Sequence, residues 1–368
     1  MAFASPRCAR FDAGVLSKRR ITPGARAPAR GRWRVSRMDG SPVRKDAPED
    51  LAPRSSTRLI DEGAALRASL LQELPEIPAR YLYDDTGSEL FERITGLSVY
   101  YQTRTEISIL ERAAADIVAH ARPRHLVELG SGAGRKIRIL LDALRADGPS
   151  VTCTMLDINE LFLLQSIDRL SADYPEFVFR GVVGNFMTDL GRLGPAGGRL
   201  VVFFAGTVGN LHPDERRSFL GDLAQRMDDA DALLLGVDLV KDPARLEAAY
   251  DDPEGVTAAF NLNVLSVLNR RFAGNFDTSA FRHRAFYDRK NAWIEMRLVA
   301  TRKNEVCLDA LGLRLAFDKG AEIRTELSCK FTRASLEASA GEAGLTIDRW
   351  YTDPADLFAL ALVRRRRS

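Results

Sequence analysis

The chain has 368 residues, of which 45% are hydrophobic, enough to bury one large core or two smaller ones. It carries 53 Lys and Arg against 50 Asp and Glu, a net charge of +3. The charge is unevenly distributed, because residues 1–37 hold ten basic residues and one acid, a charge of +9 that leaves −6 for the rest. A nucleic-acid-binding body needs a basic face, and this mildly acidic body argues against a nucleic-acid partner.

The four cysteines and four histidines are scattered and show neither a CxxC pair nor a metal-ligand spacing. We therefore expect a protein of a reducing compartment, with no disulfide framework and no metal. No apolar run reaches the ~18–20 residues that span a bilayer, and no continuous apolar stretch marks a secretory signal. These features predict a cytoplasmic protein without a membrane partner.

Residues 1–56 are rich in Arg, Pro, Ala and Ser and lack an apolar period, which predicts a disordered N-terminal arm. Three interpretations of this arm are open: a targeting arm, a nucleic-acid arm, or sequence upstream of a true start at Met38. The more balanced charge that begins at Met38 favours the third.

A helix is predicted over 59–74, where apolar residues recur at helical spacing and Pro75 closes the pattern. The segment 81–101 places aromatic residues among polar ones, which is typical of a helix-and-loop lid. A further amphipathic helix is predicted over 107–119.

Short apolar segments alternate with helical ones from residue 125 onward. We predict strands at 125–129, 151–156, 177–183, 200–204 and 232–237, separated by helices. This order is typical of a parallel, doubly wound sheet. After Lys241 the alternation stops, and a helix at 255–269 with strand-like runs at 293–301, 306–308 and 311–317 predicts an α+β region. A final helix and strand, 336–344 and 358–363, return to the sheet.

The first predicted strand of the sheet runs into a glycine loop, Gly130-Ser131-Gly132-Ala133-Gly134. Glycines let a ligand approach the backbone, but dinucleotide-binding loops use the spacing G-x-G-x-x-G. Glu128 precedes the loop, and its carboxylate would repel a pyrophosphate and favour a cation such as S-adenosylmethionine. Asp157 ends the next strand, where an acid can bind ribose hydroxyls. This combination favours a class I methyltransferase; a nucleotide-binding oxidoreductase and a plain tight turn are the alternatives.

Two more strand ends carry candidate ligand contacts. Asn185 and Phe186 follow the third strand, where an amide oxygen and an aromatic ring suit adenine, although a turn residue and a core aromatic explain them equally well. The fourth strand ends in the segment 205–210, in which Asn210 is a candidate substrate contact. A plain turn is the alternative there.

The chain from about Tyr83 to Val363 resembles the L-histidine Nα-methyltransferases of ergothioneine biosynthesis. The resemblance covers about three quarters of the chain and omits the N-terminal arm. It lies in ungapped runs: YDDTGSELFERIT (83–95), YYQTRTE (100–106), VELGSGAGRK (127–136), GTVGN (206–210), DLVKD (238–242), AYDDPEGVTAAFNLNVL (249–265), IEM (294–296) and TELSCKF (325–331).

The resemblance implies a fold of class α/β, with a Rossmann-like class I methyltransferase sheet and a second α+β substrate-binding domain. We expect residues 57–104 and 240–330 to form the substrate-binding domain, and residues 105–239 and 331–368 the methyltransferase domain. The cofactor implied is S-adenosyl-L-methionine, and the substrate is free L-histidine, whose α-amino nitrogen would become trimethylated to hercynine. We further expect a monomer.

The resemblance also implies roles for single residues. Tyr83 is the catalytic candidate, since its hydroxyl could bond the amine or a water that carries the proton away. Substrate contacts are expected from Tyr100, Asn210, Tyr250, Met296, Glu326 and Ser328, with Glu326 and Ser328 receiving the imidazole. Together with the residue-level reasoning above, the expected cofactor contacts are Glu128, Gly130, Gly132, Lys136, Asp157, Asn185 and Phe186.

Two positions depart from the family's pattern. Asn185 stands where the family usually has Asp, which keeps an acceptor oxygen but loses a charge. Ala205 stands in place of a glycine, and its methyl group would tighten the amine pocket. The alternative functions are the same chemistry on another amino acid such as tryptophan, a non-catalytic cofactor-binding module, and a nucleic-acid methyltransferase.

Overall fold

The structure is a computed structural model that describes residues 33–36, 42–43, 56–147 and 151–366. Its strands are β1 Trp33–Ser36, β2 Pro42–Val43, β3 His125–Leu129, β4 Thr152–Asp157, β5 Val178–Val183, β6 Arg199–Phe203, β7 Ala232–Asp238, β8 Phe281–Asp288, β9 Trp293–Ala300, β10 Asn304–Leu308, β11 Leu313–Phe317, β12 Glu322–Cys329, β13 Leu345–Thr352 and β14 Phe358–Arg365. Its α-helices are α1 Ser56–Leu70, α2 Asp85–Thr95, α3 Gln102–Ala121, α4 Arg135–Asp147, α5 Glu160–Asp173, α6 Pro213–Gln225, α7 Pro243–Ala248, α8 Val256–Phe272 and α9 Arg333–Glu342.

The largest sheet has the strand order β13-β14-β7-β6-β3-β4-β5-β1-β2. Strands β3 to β7 pair in parallel, while β14 runs antiparallel to β7 and to β13. Every residue of β6 and β7 is buried, as expected for strands that helices cover on both faces. Side chains of α3, α4 and α5 pack in the cluster on one face, and those of α6 and α9 in the cluster on the other.

The chain passes from β3 through β4 to β5 on one side and then crosses to β6 on the other side of β3. Doubly wound sheets bind ligands outside the carboxyl ends of their strands at such a reversal. The residues at these ends are Leu129, Asp157, Phe203 and Asp238. This edge of the sheet is therefore the place to look for a site.

A second hydrophobic cluster lies around a three-stranded antiparallel sheet of order β12-β9-β8. It is built from α1, α2, α8 and the short 3-10 helix Ala79–Leu82, with Tyr81, Phe260 and Ile294 among its buried members. Strand β12 also meets the 3-10 helix Thr207–Asn210 that follows β6. A Cβ added at Gly209 would lie 2.8 Å from the carbonyl oxygen of Cys329, so only glycine allows this close approach.

The α/β class and the mostly parallel sheet are confirmed, whereas β8, β12 and β13 were not predicted. The described residues fall in one compact unit, so the two-domain division stays a proposal. Most of the expected disordered arm lies outside the described residues; the described part adds β1 beside β5 and β2 beside β1.

In the part of the chain that the structure describes, no helix is long and apolar enough to cross a membrane. No cluster of three or more His, Cys, Asp or Glu side chains there could hold a metal. Cys153, Cys307 and Cys329 are free thiols.

Candidate active site

The glycine loop leaves β3 with its first two glycines facing open space. Gly130 has φ +68° and Gly132 has φ +48°, a left-handed backbone that favours glycine. A Cβ built at either position meets nothing within 4 Å. Gly134, at φ +66°, instead packs against Leu170 of α5, where an added Cβ would come within 3.2 Å. The first two glycines thus offer backbone to a ligand, and the third fits the loop to α5.

Glu128 is a buried carboxylate beneath this loop, with 3% of its surface exposed. No described residue donates a hydrogen bond to its buried Oε2. Burial raises the pKa of Glu128 well above its usual range, against a smaller lowering by Lys136. A buried carboxylate oxygen without a donor is costly unless a ligand supplies a donor or a positive charge. This residue therefore fits a cationic ligand.

Asp157 ties the glycine loop to the end of β4. Its Oδ2 accepts the Gly132 N–H at 2.8 Å, and its Oδ1 accepts the Asn159 N–H at 2.9 Å. Burial raises the pKa of Asp157. A carboxylate has about four acceptor positions, so each oxygen keeps capacity for a ribose hydroxyl.

Lys136 pairs with a residue that the sequence analysis did not single out, Glu106 of α3. The Glu106 side chain is fully buried, and its two oxygens accept the Ala205 N–H at 3.0 and 2.9 Å. Glu106 thus joins α3, α4 and the loop after β6. Its helical register with buried Ile109 and Leu110 places a carboxylate on the buried face, and this signal could have revealed it.

Asn185 and Phe186 show the structural roles weighed as alternatives to adenine binding. The Asn185 side-chain oxygen accepts the Met187 N–H at 2.9 Å, which closes a local turn. The Phe186 ring packs 4.9 Å from that of Phe203 and 5.8 Å from that of Phe219. Both residues remain half-buried, so an adenine contact stays a proposal.

Glu326 lies on β12, directly opposite Met296 of β9. Only 8% of its surface is exposed, and its Oε1 accepts a hydrogen bond from the Asn210 side chain. Burial raises the pKa of Glu326 to about 7, while Lys330 and Asn210 oppose this rise. The structure thus brings together the expected imidazole and carboxylate contacts from β12, β9 and the loop after β6.

Glu326 should make the protein less stable as the pH rises from about 4.5 to about 7. Because the pKa of Glu326 is higher in the folded protein than in the unfolded one, its contribution to the free energy of unfolding is complete below about pH 4.5. That contribution is lost as the pH rises to about 7 and above. We expect Glu326→Gln to remove up to about 3 kcal/mol of this pH dependence. Urea unfolding at pH 5 and pH 8 tests this, and equal pH dependence in both proteins would contradict it.

Ser328 and Tyr250 form a second polar group beside Glu326. The Tyr250 hydroxyl lies 2.7 Å from the Ser328 Oγ. The ammonium of Lys330 donates to both oxygens, at 3.0 and 2.8 Å, and pairs with Asp238 at 2.8 Å. Lys330 and Asp238 were given no role from sequence. Asp238 ends β7 at the same sheet edge as Asp157, and that position was the available signal.

Tyr83 and Tyr100 belong to a cluster of aromatic rings that includes Phe91, Phe260 and Tyr250. The Tyr83 ring lies 5.6 Å from those of Phe91 and Phe260, and the Tyr100 ring 6.3 Å from that of Tyr250. Burial raises the pKa of Tyr83 well above its usual range, followed by the charge of Glu326 and, more weakly, of Asp157. The Tyr83 hydroxyl therefore lies within electrostatic range of both Glu326 and Asp157.

Ala205 adopts a strained backbone with φ +63°, and its N–H is held by Glu106. Alanine pays a steric penalty in this left-handed region that glycine avoids. We expect Ala205→Gly to stabilise the protein by about 0.5–1 kcal/mol, after the entropy cost of glycine in the unfolded chain. Urea unfolding measures this, with Ala115→Gly at an exposed position of α3 as a control that should destabilise by about 1 kcal/mol. Destabilisation by both substitutions would refute the strain argument.

Residues 62–365 match the model of a family described as histidine-specific, SAM-dependent methyltransferase. The chain belongs to this family. The histidine N-alpha-methyltransferase of Mycolicibacterium smegmatis is 44% identical over 300 residues, which cover 82% of this chain and 94% of that protein. The protein of the same name from Mycobacterium tuberculosis is 44% identical over 296 residues, covering 80% and 92%.

A fungal protein shares part of this likeness. Ergothioneine biosynthesis protein 1 of Schizosaccharomyces pombe is 31% identical over 225 residues, which cover 58% of this chain and 29% of that protein. Membership in the histidine-specific methyltransferase family confirms the stated resemblance, the class I methyltransferase fold and S-adenosylmethionine as cofactor.

Proposed function

We propose that this protein transfers methyl groups from S-adenosylmethionine to the α-amino nitrogen of free L-histidine and forms hercynine. The observation that carries this proposal is the buried pair of Glu326 and Ser328 on β12, next to Asn210. Alternate residues of a strand share one face, so both side chains reach the same ligand. A carboxylate and a hydroxyl in this arrangement match the two nitrogens of an imidazole.

The proposed cofactor site contains two acidic side chains, Glu128 and Asp157, and the cofactor is a cation. When bound, S-adenosylmethionine supplies an electrophilic methyl group on a sulfonium. We propose that Glu128, whose Oε2 has no donor among the described residues, favours the positive charge, and that Asp157 accepts the ribose hydroxyls. We assign the loop contacts to Gly130 and Gly132. The remaining cofactor contacts that we propose are Lys136, Asn185 and Phe186.

At the substrate end, we assign the carboxylate and amine of histidine to Tyr100, Asn210 and Tyr250. Met296 is buried opposite Glu326 and would pack against the imidazole ring. These residues would fix the position and orientation of the substrate, and positioning of this kind supplies much of the rate in a displacement reaction.

The nucleophile must be a neutral amine, and an α-amino group with a pKa near ~8 is partly neutral at pH 7. The reaction therefore needs no strong base. We assign Tyr83 to hydrogen-bond either the amine or a water molecule that carries the proton of the amine away. Tyr83→Phe should lower kcat roughly 2- to 12-fold, the worth of one hydrogen bond, with a smaller change in KM for histidine. Steady-state kinetics test this, and an unchanged kcat would remove Tyr83 from the mechanism.

We propose the two-domain division as well. All the buried residues of the cluster around the three-stranded sheet fall within 57–104 and 240–330. The clusters on the two faces of the large sheet lie almost wholly within 105–239 and 331–368. We also propose that the protein is a monomer, that it acts in the cytoplasm and that it has no nucleic-acid partner.

Tryptophan is the competing substrate, because its indole N–H also suits Glu326. Its ring is larger than imidazole, and buried Met296 limits the room. The deciding experiment is to incubate the protein with S-adenosylmethionine and each free amino acid and to follow product mass. We expect products heavier by one to three methyl groups from histidine alone. Methylation of tryptophan and not of histidine would overturn the proposal.

A further inference from the structure

Lys330 is a buried cation whose hydrogen bonds are all used inside the protein. Its side chain is 0% exposed. An ammonium has three N–H donors, and three oxygens surround this one: the Tyr250 hydroxyl at 3.0 Å, the Ser328 Oγ at 2.8 Å and Asp238 Oδ2 at 2.8 Å. Lys330 therefore has no donor left for a ligand, but it restricts the hydrogen bonds that its two hydroxyl partners can form.

The protons on those two hydroxyls can be counted. Both oxygens accept from Lys330, and they lie 2.7 Å from each other, so one of their two protons is used between them. Among the described residues, no further acceptor bonds to either hydroxyl. One proton remains without an acceptor among the described residues, so it is available to a ligand bound beside this pair.

We infer that Lys330 is a positioning residue that makes the Tyr250–Ser328 pair a hydrogen-bond donor, so that the site selects the neutral imidazole ring. The inference rests on the proposed function and adds the charge state of the substrate. In this arrangement Tyr250 donates to Ser328, Ser328 donates to the unprotonated ring nitrogen, and Glu326 accepts the ring N–H. An imidazolium would turn a second N–H towards Ser328, whose oxygen already accepts from Lys330 and Tyr250.

Lys241 provides a matched control because it pairs with the same carboxylate. Its ammonium bonds to the Tyr101 hydroxyl at 2.8 Å, to Asp238 Oδ1 at 2.5 Å and to the Leu239 carbonyl oxygen. No bond of Lys241 reaches Tyr250 or Ser328. Lys241→Met and Lys330→Met therefore each remove one cation from Asp238, but only Lys330→Met changes the hydroxyl pair.

The first experiment measures the dissociation constant of L-histidine by calorimetry, with S-adenosylhomocysteine bound. We expect Lys330→Met to weaken histidine binding at least about tenfold and Lys241→Met to weaken it less than about threefold. Affinity for S-adenosylhomocysteine should stay unchanged in both variants. Equal losses in the two variants, or none in Lys330→Met, would overturn the inference.

The second experiment counts the protons released on binding and does not depend on a variant. Trimethylhistidine is the probe, since its quaternary nitrogen does not titrate, and calorimetry at about pH 6 is repeated in two buffers of different ionisation heat. At that pH the free imidazole, with an ordinary pKa near ~6.5, is at least about half protonated. Glu326 is mostly protonated as well, because burial raises its pKa to about 7. The charged or titratable groups that face Glu326 are Lys330, Tyr83, Tyr100 and Tyr250.

A complex of neutral imidazole with ionised Glu326 keeps neither the second proton of the ring nor the carboxyl proton of Glu326, so the native protein should release more than one proton per ligand. An imidazolium–carboxylate pair would keep one proton and release less than one, which would overturn the inference. Lys330→Met should release fewer protons than the native protein, since its Ser328 oxygen is free to accept. A native protein that binds neither histidine nor trimethylhistidine would contradict the proposed function itself. Binding without the expected proton release would contradict only the role of Lys330.

Discussion

Glu326→Ala is expected to lower kcat/KM for L-histidine roughly 10- to 150-fold. A charge-assisted hydrogen bond to the imidazole N–H contributes about 1.5–3 kcal/mol, and the substitution removes it. It also leaves the Asn210 side chain without its carboxylate partner. Initial rates at histidine concentrations far below KM measure this directly, with KM for S-adenosylmethionine expected to stay unchanged.

Glu322→Ala is the matched control, on the same strand four residues earlier. Glu322 pairs with Arg284 and Arg297 and has no contact with Asn210 or Ser328 among the bonds of the described residues. Its loss should change kcat/KM by less than about twofold, since partly exposed ion pairs contribute little. A loss of activity in Glu322→Ala as large as in Glu326→Ala would remove the specific role of Glu326.

Glu106→Ala should destabilise the protein by about 3–5 kcal/mol. The substitution leaves the Lys136 ammonium and the Ala205 N–H without their buried acceptor, and removal of one partner of a buried ion pair costs about this much. It also opens a space against Gly236, where an added Cβ would meet the Glu106 carboxylate. Urea unfolding monitored by circular dichroism gives the free energy of unfolding.

Glu111→Ala is the control for Glu106→Ala, since Glu111 is an exposed acid on the same helix α3. An exposed substitution of this kind should change the unfolding free energy by less than about 0.5 kcal/mol. A loss below about 1 kcal/mol in Glu106→Ala would show that Lys136 does not depend on Glu106.

Most of the strands that the sequence predicted in the large sheet are buried on both faces. Strands β6 and β7 are apolar runs bounded by turn residues, and such runs are easy to recognise. Strand β12 was missed because its buried side chains include Thr325, Glu326 and Ser328, which break the usual rule that polar residues face water. A strand whose buried face carries polar side chains is therefore hard to recognise from periodicity.

The residues of the candidate site also differ in whether they could be predicted from the sequence. Asp157 and Asn210 follow from the rule that ligands bind at the carboxyl ends of parallel strands. Glu326 was assigned only through resemblance to the family. The helical register marks Glu106 as a buried acid, but Glu106 and Lys330 act through partners 99 and 80 positions away in the chain, and no local pattern identifies such partners.

The crystal structure of the protein with S-adenosylhomocysteine and L-histidine tests the central claim most directly. We expect one imidazole nitrogen within hydrogen-bonding distance of the Glu326 carboxylate and the other within that distance of the Ser328 hydroxyl. The α-amino nitrogen should point towards the glycine loop between Gly130 and Gly132. An imidazole bound away from β12, with Glu326 still bonded only to Asn210, would contradict the account.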